Sequence, residues 1–129
     1  MVSDAKLGPL QGLHLLTQIL SAARFDCQDE LACQEQIERL LAEKGVGYRR
    51  EHHLSQGNII DFYFPRSGLG LEVKVFKRWS KREVYRQVER YCSHDELNGL
   101  LLATAKAQGL PYSIHGKPVL VHQLGLSVL

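Results

Sequence analysis

The sequence has few cysteines, no long apolar run and no strong excess of charge. Its three cysteines in 129 residues form no Cys-x-x-Cys pair, so we expect buried thiols in a reducing cytoplasm rather than disulfides or metal ligands. No segment approaches the length of a membrane span, and the first ten residues lack the pattern of a signal peptide. Because the net charge is only +2, a nucleic-acid partner must be argued from where the charge lies. One globular intracellular domain is expected.

Apolar residues at helical spacing predict two helices in the first third of the chain. The first covers about residues 10–24, and we expect it to pack on the core or to contact a partner subunit. Asp26 or Asp29 can cap the second helix, and Gly45 stops it. The apolar stripe expected in this second helix is Leu31, Cys33, Ile37, Leu40 and Leu41.

Two alternating apolar runs between Asn58 and Phe76 flank a group of turn formers at residues 65–68 and predict a β-hairpin. A strand over residues 46–54 precedes it. Alternation places Asp61 on one face of the first hairpin strand, and Glu72 and Lys74 on one face of the second. The apolar faces are expected to be Ile60, Phe62 and Phe64 in the first strand, and Leu71, Val73 and Val75 in the second.

A four-residue turn at residues 65–68 places Phe64 opposite Leu69, and the same register places Asp61 opposite Glu72. Side chains so placed have Cβ atoms roughly 5 Å apart, where like charges are destabilising. Mg²⁺ held by the two carboxylates would remove this conflict, with Lys74 orienting a water or stabilising a phosphate. The alternative is a solvent-facing hairpin in which Lys74 neutralises both acids.

A capping box formed by Ser80 and Glu83 begins a third helix, which we expect to reach about Leu97. Its buried stripe is Val84, Val88 and Tyr91, with Gln87 at the edge of that stripe. Positive charge is concentrated in this region at Lys77, Arg78, Lys81, Arg82, Arg86 and Arg90. A basic helix beside an acidic metal site suits a polyanionic substrate, because phosphate contacts supply most non-specific affinity. The alternative is an ordinary solvated helix face.

The remaining chain completes a sheet. An apolar strand over residues 100–104 suits the middle of a covered sheet, a short helical turn follows at 105–109, and a last strand covers 119–122. We expect an α/β fold with a mixed central sheet, the hairpin across its middle and helices on its faces. An N-terminal arm and accessory helix would occupy residues 1–26, and the main domain residues 27–129.

These residues resemble a known family. The order of motifs resembles that of the PD-(D/E)XK nucleases of the restriction-endonuclease-like superfamily. In this sequence the motifs are Asp61, then Glu72-Val73-Lys74, then Gln87 one helical turn before Tyr91. The Gln-xxx-Tyr element resembles the branch that includes exonuclease domains of recombination proteins. The predicted order αβββαβ over about residues 29–104 matches the core of the family. Small members occur in phage and mobile-element genomes, so the resemblance implies the cytoplasm of a bacterial cell or of a phage-infected host.

The resemblance implies a role for each matching residue. Asp61 and Glu72 would bind Mg²⁺ or Mn²⁺ with help from the Val73 carbonyl, and Lys74 would assist the attacking water. Ile60 stands where the namesake proline of the family would lie, but that proline is frequently absent.

The same resemblance extends the site to both flanking helices. Gln87 would contact substrate phosphate or the waters of the metal, and Tyr91 would brace the helix. An acid from the second helix often joins the catalytic set; Glu30 is the best match, with Glu35 and Glu38 left open. Independently of the resemblance, Glu51 is a possible extra acid near the site, although an exposed strand end explains it as well. The expected substrate contacts are Gln87, Tyr91, Arg82, Arg86, Arg90 and Lys77.

The sequence therefore predicts a metal-dependent deoxyribonuclease that hydrolyses phosphodiester bonds. Within this class we expect an endonuclease acting on branched or unpaired DNA as a homodimer, in the manner of a Holliday-junction resolvase. A non-catalytic nucleic-acid-binding module with the same fold is the alternative, and divalent metal dependence separates the two. A protein-interaction domain is a third possibility, for which DNA binding sensitive to salt is not expected.

Overall fold

The structure is a computed structural model that describes residues 7–75 and 79–125. Three helices and six strands alternate along these ranges. They are α1 (Pro9–Ser21), α2 (Glu30–Glu43), β1 (Arg49–Ser55), β2 (Asn58–Phe64), β3 (Leu69–Lys74), α3 (Lys81–Cys92), β4 (Gly99–Thr104), β5 (Ser113–Ile114) and β6 (Lys117–Gln123). The predicted arm before residue 7 and the basic residues Lys77 and Arg78 lie outside the described residues.

Local capping explains where two of the helices begin and end. The Asp29 carboxylate accepts a hydrogen bond from the Ala32 N–H at 3.2 Å, and Gly45 takes a φ of 71° just beyond α2. At α3 the Glu83 N–H donates to the Ser80 hydroxyl and the Ser80 N–H donates to the Glu83 carboxylate, both at 3.0 Å. Both predicted helix starts, and the stop at Gly45, are confirmed.

The strands form one mixed sheet in the order β1-β2-β3-β4-β6-β5. Consecutive hairpins make β1, β2 and β3 antiparallel neighbours. The connection through α3 makes β4 parallel to β3, and β6 is parallel to β4. The predicted α/β class with a mixed sheet is confirmed, and the hairpin lies inside the sheet rather than at its edge.

Helices cover both faces of this sheet. On one face α1 and α2 pack against β3 and β4, and the buried side chains include Leu13, Leu16, Ile37, Leu71, Val73 and Leu101. On the other face α3 packs against β2 and β4 through Val84, Val88 and Tyr91, as predicted, together with Leu100 and Leu102. Of the two expectations for the first helix, packing on the core is the one observed, because Leu13, Leu16 and Leu20 are buried against the sheet.

Three predicted details of the helical and loop regions are wrong. Leu31 is 63 % exposed, and Gln34 is buried instead. Leu31 lies two residues before the buried Cys33, which places its side chain about 200° around the helix from the buried stripe. Helix α3 ends at Cys92 rather than Leu97, since the His94 ring and the hydroxyl of Ser93 bond the last carbonyls of the helix. Residues 105–109 form no helical turn.

Ile60 also departs from prediction. Phe62 and Phe64 pack with α1 and α2, whereas Ile60 packs with Tyr63 on the side of α3. In the ladder with β1, Phe62 pairs with Arg50 and Ile60 pairs with His52, and Glu51, between these two β1 residues, has a φ of 48°. Asp61 lies opposite Glu51.

None of the helices in the described ranges combines the length and the apolar character that spanning a lipid bilayer requires.

The close contact between β3 and its neighbours makes Gly70 sensitive to substitution. A Cβ there would lie 2.3 Å from Cδ1 of Ile60 and 2.9 Å from Cδ1 of Leu97. We expect Gly70→Ala to lower the free energy of unfolding by about 1–3 kcal/mol in urea denaturation, because overpacking displaces both side chains. Gly47→Ala is the control, since nothing lies within 4 Å of its Cβ position. Equal stability of the two variants would contradict the packing at β3.

Candidate functional site

The backbone pairing of β2 with β3 stops at the candidate site, and side chains replace it. The ladder pairs Phe64 with Leu69, Tyr63 with Gly70 and Phe62 with Leu71, which confirms the predicted register. At the next position the Val73 N–H donates to Oδ2 of Asp61 at 2.8 Å, and the Asp61 N–H donates to Oε1 of Glu72 at 3.1 Å. Each carboxylate thus accepts from the backbone of the opposite strand, which fixes both acids at the point where the strands part.

Lys74 completes this cluster. Its Nζ lies 3.0 Å from Oε2 of Glu72. Glu72 is 3 % exposed and Lys74 7 % exposed, so the ion pair is almost entirely removed from water, while Asp61 is partly exposed and marks the open side. A buried ion pair of this kind is costly to form and strongly disfavours the loss of either partner. We call Asp61, Glu72 and Lys74 the carboxylate–lysine cluster.

The cluster is short of positive charge. Burial raises the pKa of Glu72 to about 8, and the neighbouring charge of Asp61 adds to the rise, against the lowering effect of Lys74. Burial also raises the pKa of Asp61, in opposition to the Val73 N–H and the Lys74 ammonium. Two buried carboxylates share one ammonium, so the cluster retains a proton or attracts a cation.

Helix α2 brings one further acid to the cluster. Oε1 of Glu30 accepts a hydrogen bond from the Val75 N–H at 3.1 Å, at the end of β3, and the charge of Glu30 raises the pKa of Asp61. Glu38 instead pairs with Arg50 at 2.9 Å, and Glu35 lines an open groove on the surface. Among the three acids left open by the sequence, Glu30 is the one whose contacts place it beside Asp61. Glu51 is exposed on β1, across the strands from Asp61.

Arg50 supports the site and was not predicted from the sequence. Its Nε donates to the carbonyl of Asp61 at 3.2 Å, and its Nη2 donates to Oε1 of Gln34 at 2.7 Å. The guanidinium also lies 4.6 Å from the ring centroid of Phe62. Arg50 thereby ties the backbone of Asp61 to α2. Arg50 follows Arg49 in a mostly polar strand, and this pattern carries no signal of such a role.

Helix α3 contributes Tyr91 and Gln87 on its inner side. The Tyr91 hydroxyl donates to the Ile59 carbonyl at 2.7 Å, and burial, followed by the charges of Glu72 and Asp61, raises its pKa. Tyr91 therefore braces β2 directly beside the acids. Gln87 lies one helical turn earlier, and its side-chain oxygen is buried without a hydrogen-bond partner among the described residues.

The basic residues of α3 lie at the surface. Arg82, Arg86 and Arg90 are all exposed, which both a contact with a polyanion and an ordinary solvated helix face require. Lys77, the other predicted basic contact, falls in the three residues between β3 and α3 that the structure does not describe. The structure thus brings Asp61, Glu72, Lys74, Glu30 and Tyr91 together and leaves the arginines on the outer side of α3.

The cluster contains oxygen donors of the kind that hard divalent cations bind. In residues 7–75 and 79–125, no group of three or more His, Cys, Asp and Glu side chains forms a cluster that could hold a metal ion. Mg²⁺, however, is usually bound by one or two carboxylates, with waters and substrate phosphates as the other ligands. Asp61, Glu72 and the Val73 carbonyl would supply such a partial set, and the deficit of positive charge at the two acids favours a cation.

The fold and the site define an α/β domain with a buried carboxylate–lysine cluster where two central strands part. Comparisons with models of known protein families, with curated proteins and with solved structures find no match. The function is therefore argued from the residues of the site.

The pKa of Glu72 predicts how stability depends on pH. Because folding raises this pKa from 4.5 to about 8, the folded state keeps a proton that the unfolded chain releases in this range. We expect the metal-free protein to lose stability as pH rises from 4.5 to 8. Glu72→Gln should remove that loss, so that the difference in unfolding free energy between variant and parent grows with pH, by on the order of a few kcal/mol.

Urea denaturation at several pH values measures this difference. Glu35→Gln, at an exposed position on α2, is the matched control and should follow the parent. A parallel pH dependence of Glu72→Gln and the parent would show that Glu72 is ionised in both states.

Proposed function

We propose that this protein is a Mg²⁺- or Mn²⁺-dependent DNA nuclease of the PD-(D/E)XK class, with a restriction-endonuclease-like fold. The observation that carries the proposal is the pair of reciprocal hydrogen bonds that fixes Asp61 and Glu72 at one point, with Lys74 3.0 Å from Glu72. The resemblance implies this arrangement: two acids and an amine on adjoining strands, followed by Gln87 and Tyr91 on the next helix. The sheet order and the parallel β3–α3–β4 unit are compatible with it.

In the proposed reaction a water attacks phosphorus in line with the departing 3′ oxygen. The P–O3′ bond breaks, and the phosphate stays on the 5′ end of the released strand. A divalent ion bound by Asp61, Glu72 and the Val73 carbonyl would polarise the phosphate and lower the pKa of the water. The ammonium of Lys74 would donate a hydrogen bond to the water or to a phosphate oxygen and would stabilise the charge that develops there.

The surrounding residues hold the substrate and the cluster. The unpaired side-chain oxygen of Gln87 can accept a hydrogen bond from a water of the site, while Glu30 sets the end of β3 through the Val75 N–H. Tyr91 fixes β2 from the side of α3. Arg82, Arg86 and Arg90 form the surface that would contact the DNA backbone.

We also propose that the substrate is branched or unpaired DNA and that the enzyme acts as a homodimer in the cytoplasm. Helix α1 carries no charged residue, and its outer side exposes Leu10 by 48 % and Leu15 by 46 %. A neutral, apolar helix face of this kind suits contact with a second copy. All three cysteines are free, as suits a reducing compartment.

The alternative is a nucleic-acid-binding module that does not cleave. The observation in its favour is the burial of Glu72 and Lys74, which leaves mainly Asp61 accessible from solvent. In such a protein the carboxylate–lysine cluster would only stabilise the sheet, and α3 would retain DNA without metal dependence.

Cleavage assays on variants of the cluster test the nuclease proposal. We expect the parent to cut DNA with Mg²⁺ or Mn²⁺ and to stop when the metal is chelated. Asp61→Asn, Glu72→Gln and Lys74→Met should each lower the rate by at least about 100-fold, because each removes a metal ligand or the charge beside the attacking water. A panel of linear, nicked, single-stranded and four-way-junction DNAs, with mapped product ends, measures the rate and the substrate preference.

The controls are Asp95→Asn and Lys44→Met, at exposed positions away from the cluster. Thermal unfolding of every variant excludes misfolding as the cause of a lower rate. If Asp61→Asn and Lys74→Met cut all substrates as fast as the parent, the enzyme proposal fails. Metal-independent binding of DNA by an inactive parent would favour the alternative.

The arginines of α3 make a separate prediction about binding. We expect Arg86→Ala combined with Arg90→Ala to weaken DNA binding and to lower the slope of log affinity against log salt by about 2, one for each phosphate that is no longer neutralised. Fluorescence anisotropy of a labelled junction across a salt series measures this. Arg39→Ala, exposed on α2, is the matched control. An unchanged slope in the double variant would place the DNA elsewhere or favour a protein partner.

A further inference from the structure

Trp79 lies directly on the amine of the carboxylate–lysine cluster. The centroid of its ring is 4.2 Å from Nζ of Lys74, the atom that also pairs with Glu72 at 3.0 Å. We infer that Trp79 is a positioning residue, which holds the ammonium of Lys74 against the two carboxylates. As an assignment of a role in catalysis, this inference rests on the proposed nuclease function; as a statement about the contact, it can be tested without it.

A lysine needs such support to act at a fixed point. Its side chain has four rotatable bonds, and holding it in one conformation costs free energy. The ion pair with Glu72 provides one restraint, and the face of the indole, which carries negative charge density, provides a second. Because the side chain of Lys74 is only 8 % exposed, the attraction to the ring is weakly screened by water. The two contacts together define where Nζ lies relative to Asp61 and Glu72.

Trp79 also has a structural role, which does not explain its aromatic ring. It precedes the cap residue Ser80 of α3 and packs with the apolar cluster that contains Val84. This is the position of a hydrophobic staple, in which an apolar residue before the cap contacts one in the second turn. A leucine would serve as a staple equally well. Only an aromatic ring offers a face to the ammonium, so Trp79→Leu and Trp79→Phe separate the two roles.

Steady-state cleavage by these two variants is the first part of the test. Trp79→Leu should lower kcat about tenfold with little change in KM, because the staple is kept and the amine is no longer held. Trp79→Phe should stay within about threefold of the parent, since its ring still faces Nζ. Thermal unfolding should show both variants folded at the assay temperature, with the lower midpoint for Trp79→Leu, which loses the contact with Nζ. Equal losses of kcat in Trp79→Phe and Trp79→Leu would overturn the inference.

The second part does not need catalysis. A double-mutant cycle with Trp79→Leu and Lys74→Met, followed by urea denaturation, measures the coupling between the two side chains. We expect the unfolding equilibrium constant of the double variant to differ from the product of the single effects by about threefold to thirtyfold, the range of cation–π contacts. Additive effects would show that Trp79 does not hold Lys74.

The two parts keep the failure of this inference apart from the failure of the proposed function. If the parent cuts no DNA with any metal, the nuclease proposal falls, and the cycle alone decides whether Trp79 positions Lys74. Because Trp79 is the only tryptophan in the chain, its fluorescence reports the same contact: Lys74→Met should change the emission of the folded protein, whereas Lys44→Met should not. An emission unaffected by Lys74→Met would overturn the inference.

Discussion

The exchange of hydrogen bonds between Asp61 and Glu72 and the opposite backbones is the constraint on which the site depends. A hairpin normally satisfies its amides with carbonyls along its whole length. Here the ladder gives way to carboxylates, which leaves β2 free to continue along β1 and β3 free to continue along β4. The same two bonds that let the strands separate also hold the acids in place. The site is therefore a consequence of how the sheet divides.

The electrostatics of the cluster follow from this placement. Two buried carboxylates lie beside one ammonium, and burial, with an added effect of the charge of Asp61, raises the pKa of Glu72 to about 8. A protein built only for stability would gain from replacing such a group with packed apolar residues. A buried group of two carboxylates and one ammonium is understandable where a bound cation supplies a further positive charge. Glu30 adds a further acid at the same end of β3.

Much of this arrangement could be predicted from the sequence, and the remainder depends on packing. The caps at Asp29 and Ser80 and the register of the hairpin are local properties, because turn length alone sets which residues face each other. The orientation of Ile60 could not be predicted, because alternation places it on the face of Phe62, and nothing in the sequence indicates the φ of 48° at Glu51 on the neighbouring strand. Two contacts depend on where α2 lies relative to a distant strand, which the sequence does not specify. One brings Glu30, rather than Glu35 or Glu38, to the site, and the other lets Arg50 support Asp61.

The packing of α1 has a consequence for the order in which the chain is assembled. This helix is the first described element, yet it contacts β4 and β6, which are synthesised after α2, α3 and the first three strands. While the ribosome is still producing β4 and β6, Leu13, Leu16 and Leu20 have no complete sheet to cover them. Until those strands form, the apolar face of α1 is exposed to water, which favours chaperone binding or premature association. Folding of this domain is therefore expected to finish only after β6 has left the ribosome.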